Sequence, residues 1–206
     1  MELKNQELHF TGSISTSLWT LNRADSLIAL AEKDAENAKT LAACATIILA
    51  VALEQGIQTM LSDSAVRAAV EENILVSDTK AAPFHKKRNE VWYKIQMLPG
   101  ILTDDKFELD LDHRLTKLLK QLINTRNKLV HVDEQAVLLN TRNDKDKIKI
   151  EDKQVTVTFL VPLTQWETVK LEKVKGFREA VATYLREVLF PESGEITEGT
   201  IVIPAS

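Results

Sequence analysis

The sequence predicts a mainly α-helical protein: a bundle of about five to six helices with a small β-hairpin inserted before the last one. Three observations predict it. Glycine and proline are scarce, 6 and 5 in 206 residues, so long helices meet few breakers. Leu115, Leu118, Leu119, Leu122 and Ile123 recur at three- and four-residue spacing, the period of one helix face. Val155, Val157, Phe159 and Val161 instead alternate with Thr156, Thr158 and Leu160, the period of a strand. The length suits one domain over 1–206, and a 44% hydrophobic content is enough to bury a core.

Taken in chain order, residues 1–12 read as irregular, and a first helix opens in Ser13-Ile14-Ser15-Thr16-Ser17, a cluster of N-capping types. Leu18, Leu21, Ile28 and Ala31 follow near helical spacing. The second helix runs from about Asn37 to Leu61. Its middle, Leu41 to Leu53, is apolar on every face, which places it at the centre of a bundle or in an oligomer interface. That run is shorter than the ~18 to 20 residues of a membrane span, so no membrane segment is expected. Its alanines allow neighbouring helices to approach closely. Cys44, the single cysteine, lies in this run and reads as core filler. With no intrachain disulfide available and a polar N-terminus, Met1 to Phe10, unlike a signal peptide, the expected location is cytoplasmic.

A third helix follows Asp63-Ser64, with Ala65, Val66, Ala69, Val70 and Ile74 as its buried set. A fourth begins near Pro83, carries Phe84, Val91, Trp92, Ile95 and Leu98, and ends at Pro99-Gly100. The fifth begins near Asp110 or Asp112 and carries the leucine stripe, which Leu129 and Val130 continue. Residues 133–145 read as a loop. The hairpin falls within 146–161, with Glu151-Asp152-Lys153 at its turn and Pro162 closing it. Thr164-Gln165-Trp166-Glu167 matches a capping box opening a last helix over about 165–189. Its apolar face is Val169, Val174, Phe177, Val181, Tyr184, Leu185 and Leu189. The tail 190–206 is polar until Ile201-Val202-Ile203, which pairs as a short strand or docks elsewhere.

Several function classes find no support. The net charge of −4 means that any nucleic-acid binding must come from a local basic surface. There is no glycine-rich phosphate loop and no Gly-x-Ser-x-Gly elbow. Asp104, Asp105, Glu108, Asp110, Asp112 and His113 crowd together, but capping of the fifth helix explains them more cheaply than a metal. His9, His85 and His113 have no partner at ligand spacing. No metal and no cofactor are expected.

Arg126 stands out because it falls four residues after Leu122, on the stripe facing the core. A buried guanidinium keeps its charge and must be paired or hydrogen-bonded. It could snorkel at the end of the stripe or pair with a carboxylate such as Glu54. Asn127 could turn the chain, and His131 could end the helix near its negative pole. Arg126 and His131 are five residues apart, roughly 140° around a regular helix, whereas Asn127 and His131 share a face.

The segment Arg126-Asn127-Lys128-Leu129-Val130-His131, at the end of an apolar-striped helix, resembles the active-site motif of the HEPN superfamily: an arginine, a polar residue that is often asparagine, a few variable residues, then histidine. The resemblance implies a helical bundle over roughly 13–135 plus 165–189. It also implies a metal-independent endoribonuclease working through the RNA 2′-OH, with a toxin or antiviral defence effector as the expected role. The family's shared cleft implies a homodimer bringing two motifs together, and some branches have a neutralising protein partner. Arg126 would hold the phosphate, His131 would transfer protons, and Asn127 would orient His131 or the substrate. In the branch partnered by small nucleotidyltransferases a tyrosine stands two residues after the histidine; here that position is Asp133, so regulation through that tyrosine does not carry over. RNA contacts are expected from Lys86, Lys87 and Arg88, which precede Trp92 and Tyr93, and from Lys128. Two other readings fit the same pattern: a non-catalytic helical dimeric module that binds RNA or a protein, and a structural dimerisation domain with helix 37–61 as its interface.

Overall fold

The computed structural model describes residues 2–78, 90–130, 150–151, 154–155 and 168–205. The chain is mostly helical, with a small hairpin, as the sequence predicts. α1 (Glu2–Lys33) and α2 (Ala38–Met60) form an antiparallel pair. Asp34 closes the turn between them by accepting from Asn37 N at 3.1 Å and Asn37 Nδ2 at 2.8 Å. These bonds hold the Asp34 carboxyl below its ordinary range. α2 falls within a residue of its expected bounds. α1 does not: it opens at Glu2, well before the capping cluster, because residues 2–11 include no proline or glycine and no strong breaker acts there.

α2 is the central helix. Ala42, Ala43, Ala45, Leu49, Ala50, Ala52 and Leu53 are sealed from solvent, while Cys44 is half-buried. By length and composition alone α2 could cross a membrane, although its longest uninterrupted apolar run could not. Here 56% of its most apolar window is covered by the rest of the chain. Gly56 lets the segment Leu185–Leu189 come close: a Cβ there would lie 2.8 Å from Leu185 Cδ2 and Leu189 Cδ1.

Asp63 caps α3 (Ser64–Asp78) by accepting from Ala65 N at 2.8 Å. Of the expected buried set, Val70 is buried, Val66 and Ala69 are half-buried, and Ala65 is exposed. Ile74 lies among side chains that are not described. α4 (Glu90–Thr103) continues through Pro99 instead of ending there, and its expected start near Pro83 lies outside the described residues. A proline lacks the N–H that would bond the carbonyl four residues back. That carbonyl, Ile95 O, instead accepts the hydroxyl of Tyr184 at 3.0 Å. Burial pushes the Tyr184 phenol well above its ordinary pKa.

Asp104 and Asp105, both at positive φ, turn the chain into β1 (Phe107–Leu109). β1 pairs antiparallel with β4 (Val202–Pro204), register Glu108↔Ile203. α5 (Arg114–Val130) begins after Asp110, whose Oδ1 accepts from Asp112 N and His113 N. β2 (Ile150–Glu151) and β3 (Gln154–Val155) pair antiparallel about residues 152–153, where the sequence places the hairpin turn. The rest of 146–161 lies outside the described residues, as does the capping box at 164–167.

α6 (Leu171–Tyr184) starts later than the expected 165, because Lys170 is extended (φ −84°, ψ 136°). It runs into a π turn at Leu185–Leu189. Glu187 in that turn accepts from Ile201 N at 3.0 Å and fastens the tail beside β1. A Cβ on Gly199 would lie 2.7 Å from Glu187 Oε2, so a larger residue there would displace the Glu187 carboxylate. The buried side chains of α1–α6 and the tail form one contiguous cluster. Within it α6 packs on α1, α2 and α5, with Arg178 joined to Asp25 of α1 by two bonds of 2.8 and 2.9 Å.

Candidate functional site

α5 carries the candidate motif, and its packing explains where each residue points. Leu115, Leu119, Leu122, Ile123 and Leu129 are buried; Leu118 is half-buried against Gly176 of α6. Val130, expected on the stripe, is exposed. The stripe therefore loses its grip on the core in the last turn of α5, where the motif stands.

Arg126 is three-quarters buried (26% side-chain exposure) and faces Glu54 of α2, Nη2 to Oε1 at 3.5 Å. Its Nη1 donates to Asn127 Oδ1 at 3.1 Å. Its Nε is buried and has no acceptor among the described residues. The 3.5 Å contact is longer than a charge-assisted hydrogen bond of about 2.7–2.9 Å, so it is an ion pair and not a short hydrogen bond. Asn127 is half-buried, with its amide oxygen turned to Arg126. Lys128 is exposed. His131, Lys86, Lys87 and Arg88 lie outside the described residues, so the geometry brings together Arg126, Asn127 and Glu54 alone.

The basic run along α5 is partly neutralised by its neighbours. Arg114 pairs with Glu179 at 2.8 Å, Lys117 with Asp112 at 3.1 Å, and Arg126 with Glu54. Lys120 lies over the Trp92 ring, 5.5 Å from its centre, and Trp92 itself is buried. Lys128 has no carboxylate partner among the described residues. Exposed pairs of this kind are weak and screened by salt, so they lower the positive potential of this face without abolishing it.

Glu54 also borders an open groove of about 440 Å³ between α1 and α2, with Thr16, Val51, Gln55 and Gln58. The sequence held a signal for this groove: Gln55, Gln58, Thr59 and Ser62 put a polar row on the end of an otherwise apolar helix. A larger cleft of about 640 Å³, lined by Met60, Phe107, Phe190 and Ile196 among others, contains no motif residue. In the crowded acidic segment Asp110 turns the chain ahead of α5 by accepting from Asp112 N and His113 N, Asp112 pairs with Lys117, and His113 Nδ1 accepts from Leu115 N at 3.3 Å in the first turn of the helix. Among the described residues no group of three or more His, Cys, Asp or Glu side chains is placed to hold a metal. Comparison with protein families, with curated proteins and with solved structures finds no match to this chain.

Proposed function

We propose that this chain is a metal-independent endoribonuclease of the HEPN type, with Arg126, Asn127 and His131 as its reacting groups. The observation that carries this reading is Arg126 itself. It stands at the end of the α5 stripe, three-quarters buried, with an ion pair at 3.5 Å and a buried Nε that has no acceptor among the described residues. A guanidinium kept in so poor a setting is costly for packing and suits a group kept for an anion that arrives from outside. RNA supplies that anion and its own nucleophile. The 2′-oxygen attacks the adjacent phosphorus as its proton passes to a base, and the bond from phosphorus to the 5′-oxygen breaks as that oxygen takes up a proton. The products are a 2′,3′-cyclic phosphate and a 5′-hydroxyl. Arg126 neutralises the crowded phosphate. In a twofold homodimer one His131 serves as base and its mate as acid. DNA lacks the 2′-hydroxyl and is not cut. A toxin or defence role with a neutralising protein partner, in the cytoplasm, belongs to the same proposal.

The test is incubation of the protein with mixed RNA in EDTA. The expected result is fragments with 2′,3′-cyclic phosphate ends, lost in Arg126→Ala and His131→Ala. Cleavage that survives His131→Ala, or that stops with EDTA, removes this reading.

The Arg126–Glu54 pair favours a second reading, a helical dimeric module that binds RNA or a protein without cutting. In it the guanidinium is already spent on a carboxylate. RNA retention on the folded protein without cyclic-phosphate products, weakened by Lys128→Ala, is the outcome that selects it.

A further inference from the structure

We propose that Glu54, on α2 and far from the motif in sequence, is the positioning residue for Arg126, fixing which edge of the guanidinium is presented to a phosphate. The inference rests on the nuclease reading for its consequence and on the geometry for its substance. A guanidinium has five N–H groups, one on Nε and two on each terminal nitrogen. The Nε–H is buried. One N–H of Nη1 is taken by Asn127 Oδ1 at 3.1 Å, and Nη2 faces Glu54 Oε1 at 3.5 Å. Among the described residues one N–H on each terminal nitrogen has no acceptor, and two such donors can serve two oxygens of a phosphodiester.

The two holders differ in what they fix. Asn127 is the next residue on the same helix and moves with Arg126. Glu54 sits on the most deeply packed helix of the protein, between Leu53, sealed from solvent, and Gln55, whose Oε1 accepts the Thr20 hydroxyl at 2.7 Å. It therefore ties the guanidinium to the bundle frame. Glu54 borders the open groove between α1 and α2, and its side chain is 30% exposed. A carboxylate beside a phosphate site opposes the anion electrostatically, so its use here is its reach and its acceptor oxygen; its charge works against the substrate.

Two variants separate reach from charge. Glu54→Gln keeps the length and an acceptor oxygen and loses the charge. Glu54→Asp keeps the charge and draws the oxygen back by a methylene from a contact already 3.5 Å long. If Glu54 positions Arg126, Glu54→Gln cleaves RNA within about threefold of wild type with an equal or lower KM. Glu54→Asp loses about tenfold or more in kcat while remaining folded, since small misplacements of a clamp are expensive in rate. The reverse order, or two variants equal to wild type, overturns the inference. Nitrogen-15 spectra of the arginine side chains provide a readout independent of cleavage, with Arg126→Ala identifying the signal. The expected Arg126 guanidinium signal shows restricted rotation in wild type and in Glu54→Gln, and free rotation in Glu54→Asp. An unrestricted signal in wild type overturns the inference whether or not RNA is cut. A wild-type protein that leaves RNA intact removes the nuclease reading, and the spectra alone then decide whether Glu54 holds Arg126.

Discussion

α2 and α5 lie against each other and solve opposite problems. α2 is apolar almost all round, and the bundle covers most of it; its side chains are explained by packing. α5 is sharply two-sided, with one leucine stripe in the core and a polar face outside. At its C-terminal end it keeps a charged side chain on the core side that packing does not need. Where a helix is uniformly buried, each residue is accounted for by the volume it fills. Where a helix changes from core to surface within one turn, a residue can be left that stability does not explain, and Arg126 is such a residue.

The comparison breaks first if α2 proves tolerant. Leu53→Ala removes a side chain with no solvent exposure and is expected to cost about 3 kcal/mol in denaturant unfolding. A loss below ~1 kcal/mol would mean that α2 is loosely packed.

Tyr184→Phe tests the frame on which both helices rest. It leaves Ile95 O without its donor, and Pro99 cannot supply another, so a loss of about 1–2 kcal/mol is expected. It also changes the alkaline limb of stability. The folded-state pKa of Tyr184 is raised by burial, so its contribution is complete below the ordinary tyrosine value of about 10 and is lost as pH rises from there through the folded value. Unfolding titrations above pH ~10 are expected to fall more steeply for wild type than for Tyr184→Phe.

Arg126→Met sharpens the contrast most directly. Replacing an ion-paired, mostly buried arginine with an apolar side chain of similar length is often neutral, and Glu54, partly exposed, can turn to water. Stability within about 1 kcal/mol of wild type, with RNA cleavage abolished, is the expected pair of results. A loss near 3 kcal/mol would make Arg126 a packing residue like those of α2. The smallest effect is expected for Lys128→Ala on the exposed face. Stability changes by less than about 0.5 kcal/mol, while RNA binding weakens and becomes less dependent on salt.

Much of the fold is legible along the chain because helix periodicity and capping are local. The bounds of α2, the leucine stripe of α5, the buried face of α6 and the hairpin turn all follow from residues within a few positions of one another. The misses are places where distant groups decide. Pro99 reads as a helix end until Tyr184 takes the carbonyl that it orphans, that of Ile95, from 89 positions along the chain. Val130 continues the stripe in sequence but is exposed in the structure. α6 starts late because Lys170 is extended, which no spacing rule foretells. For the candidate site, Arg126 and Asn127 could be picked out by position and motif, and Glu54 was one of two open explanations for a guanidinium on the core stripe.

By itself the sequence determined that this protein is a helical bundle, that α2 is its apolar centre, and that one arginine sits where an apolar side chain belongs. Backbone geometry repeats every few residues, so patterns of that length carry such information. Only the tertiary structure decided that Arg126 meets Glu54 at 3.5 Å with its Nε buried and that the tail closes on β1 through Glu187. Those contacts join residues remote along the chain, and their partners are chosen by how the helices pack.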